Sequence, residues 1–263
     1  MGANPMSLLQ VDNLTKSFGG VQAVGGISFE LAPGELLALI GPNGAGKSTC
    51  FNLLNGQLRP DAGRVLLNGR DITGRRPRDI WRLGVGRTFQ VTATYGSMSV
   101  LENVQLVLLS RARRLSGMWR PAGAWFQAEA LALLERVGMA DQAQRSCSLL
   151  AYGDLKRVEL AMALAGKPGL LLMDEPTAGM GPGERNELMA LTAELAGQAR
   201  VGVLFTEHSM DVVFTFAQRV LVMARGRIIA HGPPAQVRED PRVQEVYLGT
   251  GATFHARAAL SAS

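Results

Sequence analysis

A glycine-rich segment, GPNGAGKST at residues 41–49, constrains this chain more than any other stretch of its sequence. It follows a nearly unbroken apolar run at residues 35–40, which is typical of a strand buried on both faces of a parallel sheet. The segment fits the pattern GxxxxGK[ST], in which glycines let backbone amides turn toward phosphate oxygens at the start of a helix. The sequence therefore predicts a phosphate-binding loop between a buried strand and a helix.

The chemistry of this loop depends on its last residues. Lys47 can reach the β- and γ-phosphates of a nucleotide, and the hydroxyl of Ser48 can ligate Mg²⁺. The candidate nucleotide contacts in the loop are Gly41, Pro42, Asn43, Gly44, Ala45, Gly46, Lys47, Ser48 and Thr49.

A second apolar run ends in two carboxylates, in the sequence LLLMDE at residues 170–175. Because open α/β sheets bind ligands at the carboxyl ends of their strands, we expect these carboxylates near the phosphate loop. Asp174 would hold Mg²⁺, directly or through water, and Glu175 would act as the general base toward the attacking water.

The remaining patterns predict an α/β fold with a mostly parallel sheet. The individual expectations are short antiparallel strands over residues 8–30, a hairpin over 64–72 that turns at Asn68-Gly69, a helical insertion over 97–165 with a loop at 116–124, a buried strand at 201–205, strands at 220–223 and 227–230, one terminal helix over 234–248 and a frayed end from residue 249.

Composition excludes several classes of protein. With 263 residues, 47% of them hydrophobic and 19% charged, the chain can build a core for one α/β domain or one domain with two lobes. Arginines cluster at residues 75–87 and 111–120, but no stacked aromatics accompany them, so we expect solvated faces and no nucleic-acid partner. Two cysteines without CxxC spacing suit a reducing compartment. No signal peptide is visible and no apolar run approaches the roughly 20 residues of a membrane helix.

The sequence LAYGD at residues 150–154 resembles the signature of ABC ATPases, whose consensus is LSGGQ, in a variant with tyrosine and glycine. Other motifs of this sequence occur in the same order as in that family. The resemblance implies that Phe18 stacks on adenine, that Gln90 senses Mg²⁺ and contacts a membrane subunit, that residues 178–181 form the D-loop, and that His208 is the switch histidine at the γ-phosphate.

The resemblance covers about residues 6–249. It implies a P-loop NTPase of the ABC ATPase type, with a mostly parallel core sheet, an antiparallel β subdomain and a helical subdomain. Residues 6–95 and 166–249 would form the nucleotide-binding core, 96–165 the helical signature subdomain and 250–263 a tail. ATP and Mg²⁺ are implied as ligands. The implied roles are catalysis by Glu175, His208, Lys47 and Gln90, metal binding by Ser48, Gln90 and Asp174, and contact with nucleotide by Phe18, the loop 41–49, Ala151, Tyr152, Gly153 and Asp154.

Several longer stretches resemble the ATPase subunits of importers for branched-chain and hydrophobic amino acids, a group that also includes importers of urea, short amides and aromatic acids. These stretches are GVGRTFQ, MSVLENV, TEHSMDVVF and VQEVYLG. The ending YLG also resembles a lipopolysaccharide-export ATPase, but GRTFQ and the tyrosine-glycine signature favour the importer. The implied partners are membrane permease subunits, a second ATPase subunit in a homodimer or heterodimer, and indirectly a solute-binding protein, at the cytoplasmic face of the bacterial plasma membrane.

Two departures from the family pattern leave an alternative open. Ala151 replaces the signature serine, which removes one hydrogen bond to a phosphate, a loss of about 1–2 kcal/mol. Gly181 stands where the D-loop usually carries Asp or Asn. The alternative is a nucleotide-binding partner that hydrolyses ATP weakly in a heterodimer. Two other classes are disfavoured. A DNA-repair ABC ATPase would carry a long coiled coil, whereas this chain has only a short helical insertion. A translation-type factor would need two tandem ATPase domains, and 263 residues hold one.

Overall fold

The computed structural model describes residues 7–88, 94–112 and 125–248. Its strands form a four-stranded sheet of order β2-β1-β4-β5 and a six-stranded sheet of order β10-β9-β3-β8-β7-β6. The strands are β1 (Leu9–Phe18), β2 (Val21–Leu31), β3 (Leu36–Ile40), β4 (Ala62–Leu67), β5 (Arg70–Asp71), β6 (Val85–Thr88), β7 (Leu170–Asp174), β8 (Gly202–Thr206), β9 (Arg219–Ala224) and β10 (Arg227–Gly232).

The described helices pack against the sheets and against one another. They are α1 (Lys47–Leu54), α2 (Pro77–Arg82), α3 (Val100–Arg111), α4 (Gln127–Arg136), α5 (Tyr152–Ala165), α6 (Pro182–Ala199), α7 (Met210–Phe216), α8 (Pro234–Glu239) and α9 (Pro241–Leu248). Among the described residues, none of the helices has the length and apolar character needed to cross a bilayer.

The six-stranded sheet is parallel except at one edge. Strands β9, β3, β8, β7 and β6 pair in parallel, and β10 pairs antiparallel with β9. All residues of β3, β7 and β8 are buried, as the three apolar runs predicted. The predicted α/β class with a mostly parallel core sheet is therefore confirmed.

The four-stranded sheet is antiparallel throughout. The glycine-punctuated N-terminal pattern predicted this for the strands over residues 8–30, β1 and β2. The hairpin between β4 and β5 turns at Asn68 and Gly69, whose φ values are +49° and +73°. Two consecutive residues with positive φ match the right-handed twist of the flanking strands, which is why asparagine followed by glycine is favoured there.

The predicted helical insertion contains α3, α4 and α5 and no strand among its described residues. Helix α3 begins at a capping box, in which Ser99 Oγ accepts from the Glu102 amide at 3.2 Å and the Glu102 carboxylate accepts from the Ser99 amide at 2.7 Å. The three helices bury apolar faces against one another, including Val104, Leu134 and Ala161. The loop expected at 116–124 lies outside the described residues, as does the end from residue 249.

Two expectations from the sequence need correction. The terminal helix expected over 234–248 is two helices, because Asp240 adopts an extended backbone (φ −67°, ψ 119°) before Pro241. The Asp240 carboxylate then accepts from the Arg242 amide at 2.9 Å at the start of α9. Strand β6 was not predicted, since its four residues, VGRT, include a glycine and an arginine and show no strand periodicity.

Candidate nucleotide-binding site

The candidate site lies at the carboxyl ends of three adjacent strands. The loop 41–49 follows β3, Asp174 ends β7 with Glu175 directly after it, and His208 comes two residues after β8. Because β8 lies between β3 and β7, the parallel sheet brings these segments to one edge.

The glycine-rich loop needs its glycines for close backbone contacts. Gly41, Gly44 and Gly46 have φ values of +151°, +77° and +104°. A Cβ at Gly41 would collide with the carbonyl of Met223, and one at Gly46 with the carbonyl of Ala23. Helix α1 follows at once and has no acidic residue in its first turn, so the partial positive charge of its N-terminus stays available to an anion.

Lys47 is held across this loop. Its side-chain nitrogen donates to the carbonyl of Gly41 at 2.7 Å and to that of Pro42 at 3.3 Å, and the residue is only 7% exposed. Burial lowers the pKa of Lys47, and the negative charges of Glu175 and Asp174 oppose that shift. The ammonium group is therefore positioned beside two carboxylates at the mouth of an anion-binding loop.

Asp174 is buried between a hydroxyl and a guanidinium. Its Oδ1 accepts from the Thr206 hydroxyl at 2.8 Å, and its Oδ2 lies 3.4 Å from a terminal nitrogen of Arg87. The other terminal nitrogen of Arg87 donates to Asn52 Oδ1 at 3.0 Å and to Gln57 Oε1 at 2.9 Å. Burial lowers the pKa of Arg87, and the charge of Asp174 opposes that shift.

Glu175 and His208 face each other. Glu175 Oε1 lies 2.8 Å from His208 Nε2, and the Glu175 amide donates to the carbonyl and the hydroxyl of Thr206 at 3.2 and 3.0 Å. Glu175 has a φ of +49°, which is uncommon for a residue with a side chain and marks a strained strand end. This backbone turn separates the directions of two consecutive carboxylates, so that Asp174 is buried and Glu175 is partly exposed.

A buried carboxylate supports this edge from behind. Glu207 Oε1 accepts from the amide and the hydroxyl of Thr177 at 3.0 and 2.6 Å, and Oε2 accepts from the His208 amide at 3.2 Å. The expectation of a solvated face is wrong for Arg87, whose side chain is 13% exposed and contacts Asp174, and sequence analysis missed Thr206 and Glu207. The one available signal for the last two was their place after a buried strand, beside His208.

The oxygen donors of the site fit a magnesium ion. Among the described residues no group of three or more His, Cys, Asp or Glu side chains could hold a metal ion alone. Mg²⁺ usually takes one or two protein oxygens and completes its shell with phosphate and water. The carboxylate of Asp174 and the exposed hydroxyl of Ser48 provide such a pair at this edge of the sheet. The third metal candidate, Gln90, lies outside the described residues.

Residues 151–154 lie at the N-terminus of α5, on a different element from the loop. Ala151 occupies the N-cap position with an extended backbone and no side-chain cap, and both it and Tyr152 are exposed. Asp154 accepts from Gln142 at 3.2 Å, and the ammonium of Lys156 lies 5.3 Å from the Tyr152 ring centre. The segment therefore presents an uncapped helix N-terminus to solvent.

Gly181 stands at the N-cap of α6. Its amide donates to the Glu184 carboxylate at 3.1 Å, and its backbone is extended (φ −67°, ψ 159°). Glu184 thus satisfies the amide of Gly181 itself, while glycine at this position has no side chain to accept from the amides of the first turn of α6.

Phe18 ends β1 and is 47% exposed. The ammonium of Lys16 lies 5.5 Å from its ring centre. Strand β2, which pairs with β1, also brings Ala23 against Gly46 of the loop. An exposed aromatic ring is thus carried by the sheet that borders the phosphate loop.

The glycine loop, the uncapped helix α1 and the carboxylates at the strand ends define a P-loop nucleotide-binding protein. A family model described as ABC transporter matches residues 24–178, and a second, described as branched-chain amino acid ATP-binding cassette transporter, matches residues 227–253. The chain belongs to the ABC transporter family, as an ATP-binding and ATP-hydrolysing subunit.

Individual relatives match along nearly the whole chain. The high-affinity branched-chain amino acid transport ATP-binding protein LivG of Escherichia coli K12 is 40% identical over 249 residues, covering 92% of this chain and 98% of the relative. The high-affinity branched-chain amino acid transport ATP-binding protein BraF of Pseudomonas aeruginosa is 37% identical over 252 residues, with the same coverage. The ADP conformation of the ATP-binding cassette MJ1267 superposes with a TM-score of 0.83 at 32% identity, covering 93% of this chain and 99% of that structure.

Proposed function

We propose that this ATPase drives import of branched-chain amino acids or a related small solute. The observation that carries the ATPase part of the proposal is the edge of the parallel sheet, where an anion-binding loop, a buried Asp174 and a paired Glu175 and His208 follow three adjacent strands. Relatives at 37–40% identity are named for branched-chain amino acid transport, and their coverage supports the same solute class.

Within the site, each side chain has a defined task. Lys47 would leave its carbonyl partners to bind the β- and γ-phosphates, and the amides of residues 41–49 would surround them. Ser48 and Asp174 would hold Mg²⁺, with Gln90 as a further ligand by family resemblance; bound Mg²⁺ would neutralise phosphate charge in the transition state. Glu175 would accept a proton from the attacking water, and His208 would orient Glu175 and face the γ-phosphate.

Two copies of the cassette, or this chain and a paralogue, would complete each site. The exposed N-terminus of α5 offers its amides to the phosphates on a second subunit, through Ala151, Tyr152, Gly153 and Asp154. The exposed ring of Phe18 would stack on adenine. In this arrangement residues 6–95 and 166–249 act as the nucleotide-binding core, 96–165 as the signature subdomain and 250–263 as a tail.

A cavity of about 240 Å³ supports contact with a membrane permease. It lies between β6, α2, α3 and α5, and its apolar walls include Ile80, Trp81, Val107 and Met162. Strand β6 ends here at Thr88, two residues before Gln90 in the sequence. A permease segment bound in this cavity would place the chain at the cytoplasmic face of the plasma membrane. A solute-binding protein would deliver the solute to the permease from the other side of the membrane.

The test combines this chain with candidate permeases and a solute-binding protein in proteoliposomes that contain ATP and Mg²⁺. We expect uptake of labelled leucine or isoleucine to depend on internal ATP and to stop when Lys47 is replaced by alanine. Urea, acetamide and benzoate serve as competing solutes. Uptake of urea, acetamide or benzoate without uptake of leucine would assign that compound as the solute class in place of branched-chain amino acids. ATP-dependent efflux would contradict import.

Restoring the signature hydroxyl tests the alternative of a weakly hydrolysing partner. Ala151→Ser should raise ATP turnover by about three- to ten-fold in a symmetric dimer, since each serine adds a hydrogen bond to a charged phosphate. It should also stabilise α5 by about 0.5–1 kcal/mol as a helix cap. Steady-state hydrolysis across protein concentrations and thermal unfolding measure the two effects.

The control for this substitution is Ala151→Gly, which caps the helix to within a few tenths of a kcal/mol of serine and adds no hydroxyl. Turnover that rises more steeply than linearly with protein concentration supports a self-associating ATPase. If Ala151→Ser stabilises the fold but leaves turnover at the level of Ala151→Gly, the hydroxyl does not reach a partner's nucleotide in a homodimer, and the heterodimer is favoured.

A further inference from the structure

Arg87 links the permease-facing cavity to the carboxylate that is proposed to hold Mg²⁺. Its side chain lines the cavity and is 13% exposed, and β6 pairs with β7 so that Arg87 lies opposite Leu172. From there the guanidinium reaches the end of β7 at Asp174. The residue thus touches both the cavity and the nucleotide-binding edge.

The hydrogen bonds of the guanidinium are unequal. Its contact with Asp174 is 3.4 Å, longer than the usual 2.7–2.9 Å of a charge-assisted bond. Its bonds to the amide oxygens of Asn52 and Gln57 have ordinary lengths of 3.0 and 2.9 Å. Because the better bonds go to neutral oxygens on another side, the guanidinium can release Asp174 and stay anchored.

The charges at this point oppose one another. A buried carboxylate needs a positive partner, and Arg87 provides one for Asp174. A divalent cation at the same carboxylate would be repelled by the guanidinium and would compete with it for Oδ2. Binding of the cation therefore requires the guanidinium to loosen its contact with Asp174.

We propose that Arg87 is an internal counter-cation of Asp174, which competes with Mg²⁺ and so sets how strongly the metal stabilises bound nucleotide. The inference rests on the proposed function, because that function assigns Mg²⁺ to Asp174. A cavity occupant that draws the guanidinium away from Asp174 would strengthen metal binding, and linkage requires that metal binding strengthen the occupant's binding equally.

The test measures ADP affinity by calorimetry at saturating Mg²⁺ and again in EDTA, with no turnover involved. The ratio of the two affinities isolates the metal contribution from any general loss of positive charge. Arg87→Gln should raise this ratio by about ten-fold, because it removes the competing charge. Arg87→Lys keeps the positive charge but loses the fork that reaches Asn52, Gln57 and Asp174 together, so its ratio should rise less than that of Arg87→Gln.

Asn52→Ala gives an independent test of opposite sign. It removes one neutral anchor of the guanidinium while alanine preserves the helix, so the guanidinium turns more fully to Asp174 and the ratio should fall by about three-fold. Thermal unfolding shows whether Arg87→Gln folds. If it does not fold, the ratio measured for Asn52→Ala decides whether the inference holds.

Arg219→Gln is the matched control. Arg219 forms a partly buried ion pair with Glu35 at 2.8 Å. The pair lies at the starts of β9 and β3, at the opposite ends of these strands from the phosphate loop. Its loss should leave the ratio of ADP affinities unchanged. An unchanged or lower ratio in Arg87→Gln, or an unchanged or higher one in Asn52→Ala, overturns the inference. If ADP binding to the unsubstituted chain does not depend on Mg²⁺ at all, the proposed metal site itself is wrong.

Discussion

Replacing Lys47 by alanine is expected to lower the affinity for ATP by about 10- to 100-fold. The ammonium is almost fully buried beside the loop, where its present partners are two backbone carbonyls. A charge-assisted hydrogen bond in such a site contributes about 1.5–3 kcal/mol, which corresponds to this range of affinity. Equilibrium binding of ATP in EDTA measures the effect without a contribution from Mg²⁺ or from turnover.

Lys167→Ala is the control, since Lys167 is exposed and pairs with Glu129 at 3.5 Å, away from the loop. We expect its ATP affinity to match that of the unsubstituted chain. Equal affinities in both alanine variants would contradict the placement of phosphate at Lys47. Thermal unfolding of nucleotide-free Lys47→Ala tests the state of the loop. Loss of the two bonds to the Gly41 and Pro42 carbonyls should cost about 1–3 kcal/mol, and a larger loss of stability would indicate collapse of the loop.

The glycine-rich loop between a buried strand and a helix could be predicted because its information is local. Nine consecutive residues carry the glycines, the lysine and the hydroxyls, and a buried strand precedes them. The same holds for Asp174 and Glu175, which end an apolar run that can only be a buried strand or a buried helix segment. Parallel pairing then requires that both segments meet at one edge of the sheet.

What the sequence does not disclose depends on contacts between distant residues. Arg87 meets Asp174 across 87 positions, and no spacing or periodicity connects them. The buried Glu207 is one residue before the predicted switch histidine, yet its partner Thr177 lies 30 positions away. An arginine or a glutamate of this kind is an ordinary surface residue until the fold shows what it packs against.

The predictions for the terminal segment and for β6 were wrong for different reasons. The helical pattern of residues 234–248 continues through Pro241, and the prediction of one helix followed that periodicity. A proline disfavours the helical conformation of the residue before it, which is why the structure has two helices. Strand β6 is stabilised by its neighbour rather than by its own residues. A Cβ at Gly86 would lie 3.3 Å from Leu171, so the small residue permits the close packing that a strand propensity does not predict.

Replacing Glu175 by glutamine is expected to reduce steady-state ATP turnover by about 10²- to 10⁴-fold while ATP affinity stays within about two-fold. The amide matches the carboxylate in size and can still bond to His208 Nε2, now 2.8 Å from Glu175 Oε1. The backbone bonds of residue 175 to Thr206 also remain, so the unusual φ of the strand end is preserved. The substitution thus removes the proton acceptor and its negative charge, while the hydrogen bonds and the backbone of residue 175 are kept.

Hydrolysis and ATP binding are measured on the same preparation, with Glu187→Gln as the control, since that carboxylate is exposed and pairs with Arg157. Turnover above a tenth of the control's would mean that another group activates the water. Loss of ATP binding together with turnover would mean that Glu175 supports the loop rather than the reaction. If turnover alone is lost, the two consecutive carboxylates have separate tasks: the buried Asp174, held by a hydroxyl and a guanidinium, serves the metal, and the partly exposed Glu175 serves the water.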